Sequence, residues 1–260
     1  MRIVIAGGHG QIALRLTRLL AERGDTALGL VRNPEHPRDV AAAGGQAAVV
    51  DLERATADEL VPLLDGADAV VFAAGAGPGS GAARKDTVDR GAAVLLADAA
   101  EQAGVRRYVL VSAMGVDSPG EVTDEVFAAY LRAKAAAEED LRGRDLDWTV
   151  LRPGGLTDDP GTGRVRLEPS VPFGQVTRDD VAAVVLGLLD EPATTGLTLE
   201  LVSGDDVVDA AVQAAAREEP GDGSASALHP ETDGSDEPEV ETEHEGPEQT
   251  RPRGRHRAPD

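Results

Sequence analysis

Apolar residues in the first two-thirds of the chain come in two alternating patterns. Short runs that are apolar at every position recur at Ile3–Ala6, Ala27–Val31, Ala47–Val50, Ala69–Ala73, Tyr108–Val111 and Thr149–Leu151. Between them lie longer amphipathic stretches, Ile12–Arg23, Thr56–Leu64, Thr87–Ala103 and Glu121–Leu141, whose apolar residues recur at helical spacing. A strand apolar throughout, rather than at every second position, is covered on both faces, as parallel strands are when helices pack above and below them. The pattern therefore predicts an α/β fold: a Rossmann-type, doubly wound parallel sheet in a single domain. A further helix, Asp179–Leu189, and a strand, Leu197–Val202, close the region.

The pattern stops near Ala216. Residues 217–260 hold no aromatic side chain and carry 13 acidic against 5 basic residues among many Pro and Gly. Such a segment cannot bury enough apolar surface to offset its chain entropy. The expectation is a domain over 1–216, with a small substrate portion at its C-terminal side, followed by a disordered acidic tail over 217–260. The basic cluster Arg251–Arg257 reads as a solvated end in preference to an interaction tag.

Composition narrows the function classes. The formal net charge of -22 argues against nucleic acid and anionic membranes as partners. The run after Arg2 is too short for a signal peptide or a membrane span. The chain has no cysteine, which removes disulfides and thiolate metal sites and suits a cytoplasmic protein. A small-molecule substrate is the expected partner, and nothing in the pattern specifies an oligomeric state.

The first strand runs into Gly7-Gly8-His9-Gly10-Gln11-Ile12-Ala13, which opens the first helix. Glycines there allow a tight turn and a close approach of backbone to a pyrophosphate at the helix N-terminus. Gly7, Gly10, Gln11 and Ile12 are thus candidate cofactor contacts. His9 is expected to pack or face solvent. The second strand ends Gly29-Leu30-Val31-Arg32, without the carboxylate that would accept from a ribose 2′-hydroxyl. Arg32 could instead pair with a 2′-phosphate, which favours NADP. Asp51 and Leu52 are placed to border an adenine, and the small residues Ala73, Ala74 and Gly75 to admit the nicotinamide-side ribose.

These residues, with Val31-Arg32-Asn33, Tyr108-Val-Leu-Val-Ser112, Tyr130-Leu-Arg-Ala-Lys134 and Leu151-Arg-Pro-Gly154, resemble the atypical short-chain dehydrogenase/reductases. The likeness is to their NAD(P)H-binding group, with its epimerase/dehydratase-like and flavin/biliverdin reductase-like members, and it covers Met1 to Ala216. Two departures stand out: Ala13 replaces the usual third glycine, and Asp89 falls where an Asn of the proton relay is usual.

The resemblance implies a catalytic set of Ser112, Tyr130 and Lys134. Tyr130 and Lys134 are spaced i, i+4 and share a helix face. A neighbouring ammonium would favour the phenolate and bring a tyrosine of ordinary pKa about 10 toward working pH. Ser112 would hold a substrate carbonyl, Tyr130 would protonate it, and Lys134 would also bind the nicotinamide ribose. The competing view places Tyr130 in an apolar stripe with Val126, Ala133, Ala137 and Leu141, and Lys134 in a surface pair with Glu138. The function expected is hydride transfer from NADPH to a small carbonyl or quinone-like compound. The alternative is an NmrA-like NADP(H) sensor. A sugar-nucleotide epimerase is disfavoured by the short portion after Leu151.

Overall fold

The computed structural model describes residues 1–217 apart from positions 78 and 122; the expected acidic tail, from residue 218 on, lies outside the described residues. A nine-stranded sheet forms the centre, running in order from β11 (Asp206–Val207) and β8 (Arg164–Glu168) through β10 (Thr198–Ser203), β6 (Asp147–Pro153), β5 (Arg107–Val111), β4 (Ala69–Phe72), β1 (Arg2–Ala6) and β2 (Thr26–Val31) to β3 (Gln46–Val49). Strands β1 to β6 and β10 are mutually parallel. This is the expected doubly wound sheet. Its strand order reverses direction between β1 and β4, and a crevice opens beyond their carboxyl ends.

Successive residues of β1 explain why the strands are apolar throughout. Ile3 and Ile5 face a core with Leu16 and Leu20 of α1 (Gln11–Glu22) and Val184, Val185 and Leu188 of α7 (Arg178–Asp190). Val4 and Ala6 face the opposite core, with Leu60 and Leu64 of α3 (Ala57–Leu64), Leu96 of α5 (Ala92–Ala103) and Leu141 of α6 (Glu125–Arg142). All four β1 residues are fully buried. At about 25 cal/mol per Å² of apolar surface removed from water, these two cores supply the main drive for folding.

Several elements depart from the sequence expectation. The stretch expected as one helix from Thr87 starts earlier, with α4 (Ala82–Lys85), and passes through a π-helical turn (Asp86–Gly91) before α5. The wider turn lets the consecutive residues Val88 and Asp89 both face inward, and π-turns concentrate at functional sites. Helix α6 begins at Glu125 rather than Glu121, because the Asp124 carboxylate accepts from the Val126 and Phe127 N–H groups and caps it. Also unforeseen were α2 (Pro37–Ala42), the small parallel pair β7 (Gly155–Thr157) and β9 (Gln175–Thr177), and α8 (Val208–Ala215). Two antiparallel strands, β8 (Arg164–Glu168) and β11 (Asp206–Val207), extend the sheet edge. Among the described residues, no helix is long and apolar enough to cross a membrane.

Candidate functional site

A cavity of about 340 Å³ occupies the crevice at the strand-order reversal. The glycine loop forms its floor. Gly7 has φ +76°, and a Cβ there would lie 2.6 Å from the Ala74 Cα. A Cβ on Gly8 would lie 2.4 Å from the Gly29 Cα. Backbone meets backbone at both positions, so the loop needs glycine to lie flat between β2 and β4. The Gly10 N–H donates to the Gly7 carbonyl at 2.7 Å and sets the turn. Helix α1 then starts from Gly10 with no side chain capping it and no acidic residue in its first turn. Its free N–H groups and positive dipole end are therefore left for an anion. These features fit the diphosphate of a dinucleotide.

Gly7, Gly10, Arg32, Asp51, Leu52, Ala73, Ala74 and Gly75, all expected cofactor contacts, line this cavity. Gln11, Ile12 and Lys134 do not. The sequence reading missed four polar lining residues at the far end: Asn33, His36, Glu53 and Arg84. His9 also lines the cavity. It stacks on His36 at 3.5 Å, tilted by 10°, and its Nε2 sits 2.7 Å from an Asp39 carboxylate oxygen. His9 therefore packs, as expected, and braces the rim.

The opposite end carries the candidate chemistry. Lys134 is 3% exposed; its ammonium donates to the Val111 carbonyl at 2.9 Å and the Ala74 carbonyl at 3.4 Å. It lies 3.7 Å from Oδ1 of Asp89, a carboxylate that is fully buried. Asp89 accepts from the Ala76 N–H through Oδ2, while Oδ1 has no hydrogen-bond partner among the described residues. Burial raises the Asp89 carboxyl above the usual range, against the opposing charge of Lys134. Burial lowers the Lys134 ammonium, against the opposing charges of Asp89 and Glu138. Gly75 leaves room here: a Cβ would lie 3.2 Å from Asp89 Oδ1, a tight contact.

Two expectations need correction. Lys134 does not bring the Tyr130 hydroxyl down: burial, then the Asp89 charge, pushes it well above its ordinary value. The ammonium stands 5.9 Å from the Tyr130 ring centroid, while the loss of hydration acts on the phenolate directly. Ser112 is the second correction. Its single hydrogen is donated to Glu138, which is fully buried and also accepts from Arg142 and Arg152. In this arrangement Ser112 has only acceptor capacity to offer a ligand. Glu138 is accordingly no surface partner of Lys134. The proposed apolar stripe also fails at its start, since Val126 is exposed and Tyr130 only half-buried.

Tyr130 instead lines a second cavity, of about 250 Å³, with Ser80, Lys85, Val126 and Phe127. The Phe127 and Tyr130 rings stack at 5.7 Å, and the Lys85 ammonium stands 5.2 Å from the Tyr130 ring centroid. An aromatic, partly open cleft thus adjoins the Asp89–Lys134 pair.

Comparison with known proteins agrees with this geometry. The model of the NAD(P)H-binding family matches residues 7–192. An uncharacterized sugar epimerase of Bacillus subtilis, YhfK, is 34% identical over 206 residues, 79% of this chain and 95% of that protein. A solved structure from Bacillus halodurans, described provisionally as an NAD-dependent epimerase/dehydratase, has 33% identity and a TM-score of 0.77, covering 82% of this chain and 99% of the other. The oxidoreductase ylbE of Lactococcus lactis has 26% identity and a TM-score of 0.71, covering 82% and 96%.

Proposed function

The chain belongs to the NAD(P)H-binding family of Rossmann-fold oxidoreductase and epimerase-like proteins, and from that premise we propose that it reduces a small carbonyl or quinone-like compound with NADPH. The observation that carries this reading is the buried Lys134 ammonium, opposed by a buried carboxylate and adjoining an aromatic cleft. Burying an ammonium costs several kcal/mol even when paired, and such perturbed groups concentrate at functional sites.

The nicotinamide, when bound, supplies the hydride. Gly7, Gly10 and the N-terminus of α1 would hold the diphosphate, and Arg32 the 2′-phosphate. Ala73, Ala74 and Gly75 leave room for the second ribose, close to Lys134. Tyr130 would give its hydroxyl proton to the substrate oxygen, and a charged Lys134 would stabilise the phenolate left behind. Ser112 can hold a carbonyl only if its hydrogen is redirected from Glu138. The cleft beside Tyr130, about 250 Å³ with the stacked Phe127 and Tyr130 rings in its lining, favours a small ring such as a quinone over a nucleotide sugar.

The raised Tyr130 hydroxyl and the committed Ser112 hydrogen favour, as a second reading, an NmrA-like sensor that binds NADP(H) without turning it over. One experiment separates the two. NADPH oxidation is followed against a panel of carbonyls and quinones, with Tyr130→Phe in parallel. The reductase reading expects turnover that falls about 10²- to 10⁴-fold in the variant, with NADPH affinity unchanged. Tight NADPH binding with no turnover supports the sensor, and full activity in Tyr130→Phe rules out this mechanism.

A further inference from the structure

Beyond the arginine at the end of β2, the far end of the cofactor cavity holds an ion cluster drawn from three separate segments. Oε2 of Glu53, in the loop after β3, accepts from Arg32 Nη1 at 2.9 Å. The same oxygen accepts from Arg84 Nη2 at 3.0 Å and Nε at 3.3 Å. Oε1 accepts from the Thr87 hydroxyl at 2.7 Å. Arg32, Glu53 and Arg84 all line the cavity. Two guanidinium groups from different elements thus converge on a single carboxylate oxygen.

We propose that Glu53 occupies the anion position of a two-arginine site for the 2′-phosphate, and that it sets cofactor preference by competing with that phosphate for Arg32 and Arg84. This rests on the NADPH reading above. A ribose 2′-phosphate carries about -1.5 to -2 charge at neutral pH, like other phosphate monoesters. To reach the Arg32 fork it must displace Glu53 or lie a few ångströms from it; both raise the free energy of the NADPH complex. A ribose 2′-hydroxyl meets no such repulsion and can donate to the carboxylate. Glu53 therefore acts on the two cofactors with opposite sign. Arg84, which arrives from α4, becomes a second phosphate ligand once Glu53 is displaced.

Kd values for NADPH and NADH, measured by fluorescence titration on the full chain, test this without any substrate. Glu53→Gln keeps the shape and removes the charge. The NADH-to-NADPH Kd ratio is expected to rise about tenfold, the effect of one unscreened neighbouring charge, and to rise less at high salt. Arg84→Gln, which leaves Glu53 its Arg32 and Thr87 partners, is expected to lower the ratio about fivefold. A merely structural Glu53 would weaken both cofactors alike in Glu53→Gln and leave the ratio unmoved; that result overturns the proposal. If the unmodified protein prefers NADPH and neither variant moves the ratio, the cofactor reading stands and the proposal falls. If the unmodified protein shows no preference but Glu53→Gln acquires one, the proposal stands and the cofactor reading falls.

Discussion

Replacing Glu138 tests the buried network beneath the catalytic candidates. Its fully buried carboxylate holds Arg152 through Nε at 3.1 Å and Nη2 at 2.7 Å, Arg142 at 2.7 Å, and the Ser112 hydroxyl. Arg152 is 7% exposed, and its remaining carboxylate partner, Asp117, is 73% exposed. In Glu138→Met the guanidinium would stay buried against a solvent-screened partner. Stranding one member of a buried pair costs about 3–5 kcal/mol. Retention of Asp117 places this case near the lower end, at about 3 kcal/mol. For a domain of this size each kcal/mol moves Tm by about 2–4 °C, so thermal melts should fall by roughly 6–12 °C. The double variant Glu138→Met/Arg152→Met removes both charges, and Asp117 stays hydrated. It should recover to within about 1 kcal/mol of the parent. A single variant within about 0.5 kcal/mol of the parent, or a double variant worse than the single, would refute the claim that the stranded charge sets the cost.

Asp89→Asn removes the largest influence holding the buried Lys134 ammonium charged. Because the folded Lys134 already lies below its ordinary value, the charged form is present at low pH and is lost as pH rises through the lowered pKa. The alkaline loss of NADPH affinity should therefore begin at lower pH in the variant; titrations from about pH 6 to about pH 10, below the free lysine value, would show an unmoved limb if Asp89 has no such role. A chain ending at Ala216 should keep the melting temperature and NADPH affinity of the full chain, since residues 217–260 offer so little apolar surface; a large drop in Tm on truncation would show that the domain extends further.

The class of the sheet was legible because the runs Ile3–Ala6, Ala69–Phe72 and Tyr108–Val111 are buried on both faces and so carry no polar residue to blur the pattern. Strand β8, next to the short edge strand β11, was missed although Arg164-Val-Arg-Leu-Glu168 alternates, with Val165 and Leu167 buried. It pairs antiparallel at the sheet edge, and five residues of alternation between polar loops are a weak signal taken alone. The π-turn left no signal at all. Residues 87–103 have good helical spacing, and one widened turn shifts the register without changing composition. Glu138 shows the deeper limit. From sequence it sits four residues after Lys134 and looks like that lysine's surface partner. Its burial is decided by Arg152, on the strand after α6, which meets it beneath the helix. The two halves of that pair sit on different elements, a helix and a strand, and neither element's own pattern points to the other.

The charge balance carries a related lesson about scale. A net charge of -22 opposes ligands that present phosphates over long distances, because such a polyanion meets the field of the whole surface. It does not exclude a dinucleotide. Screening confines each charge to about 8–10 Å at ordinary ionic strength, so a phosphate inside the cavity meets its lining before the distant surface. That lining holds Arg32, Arg84 and the N-terminus of α1, with Glu53 shared between the two arginines. An acidic chain can therefore hold a compact anion, provided its few cations are gathered where the strand order reverses. The same reasoning makes the local carboxylates decisive. Glu53 at the phosphate end, Asp89 beside Lys134 and Glu138 beneath Ser112 each stand within hydrogen-bond or ion-pair reach of a proposed functional group. On the function proposed above, these three acids, rather than the many on the surface, would set what the cavity binds and which of its protons can move.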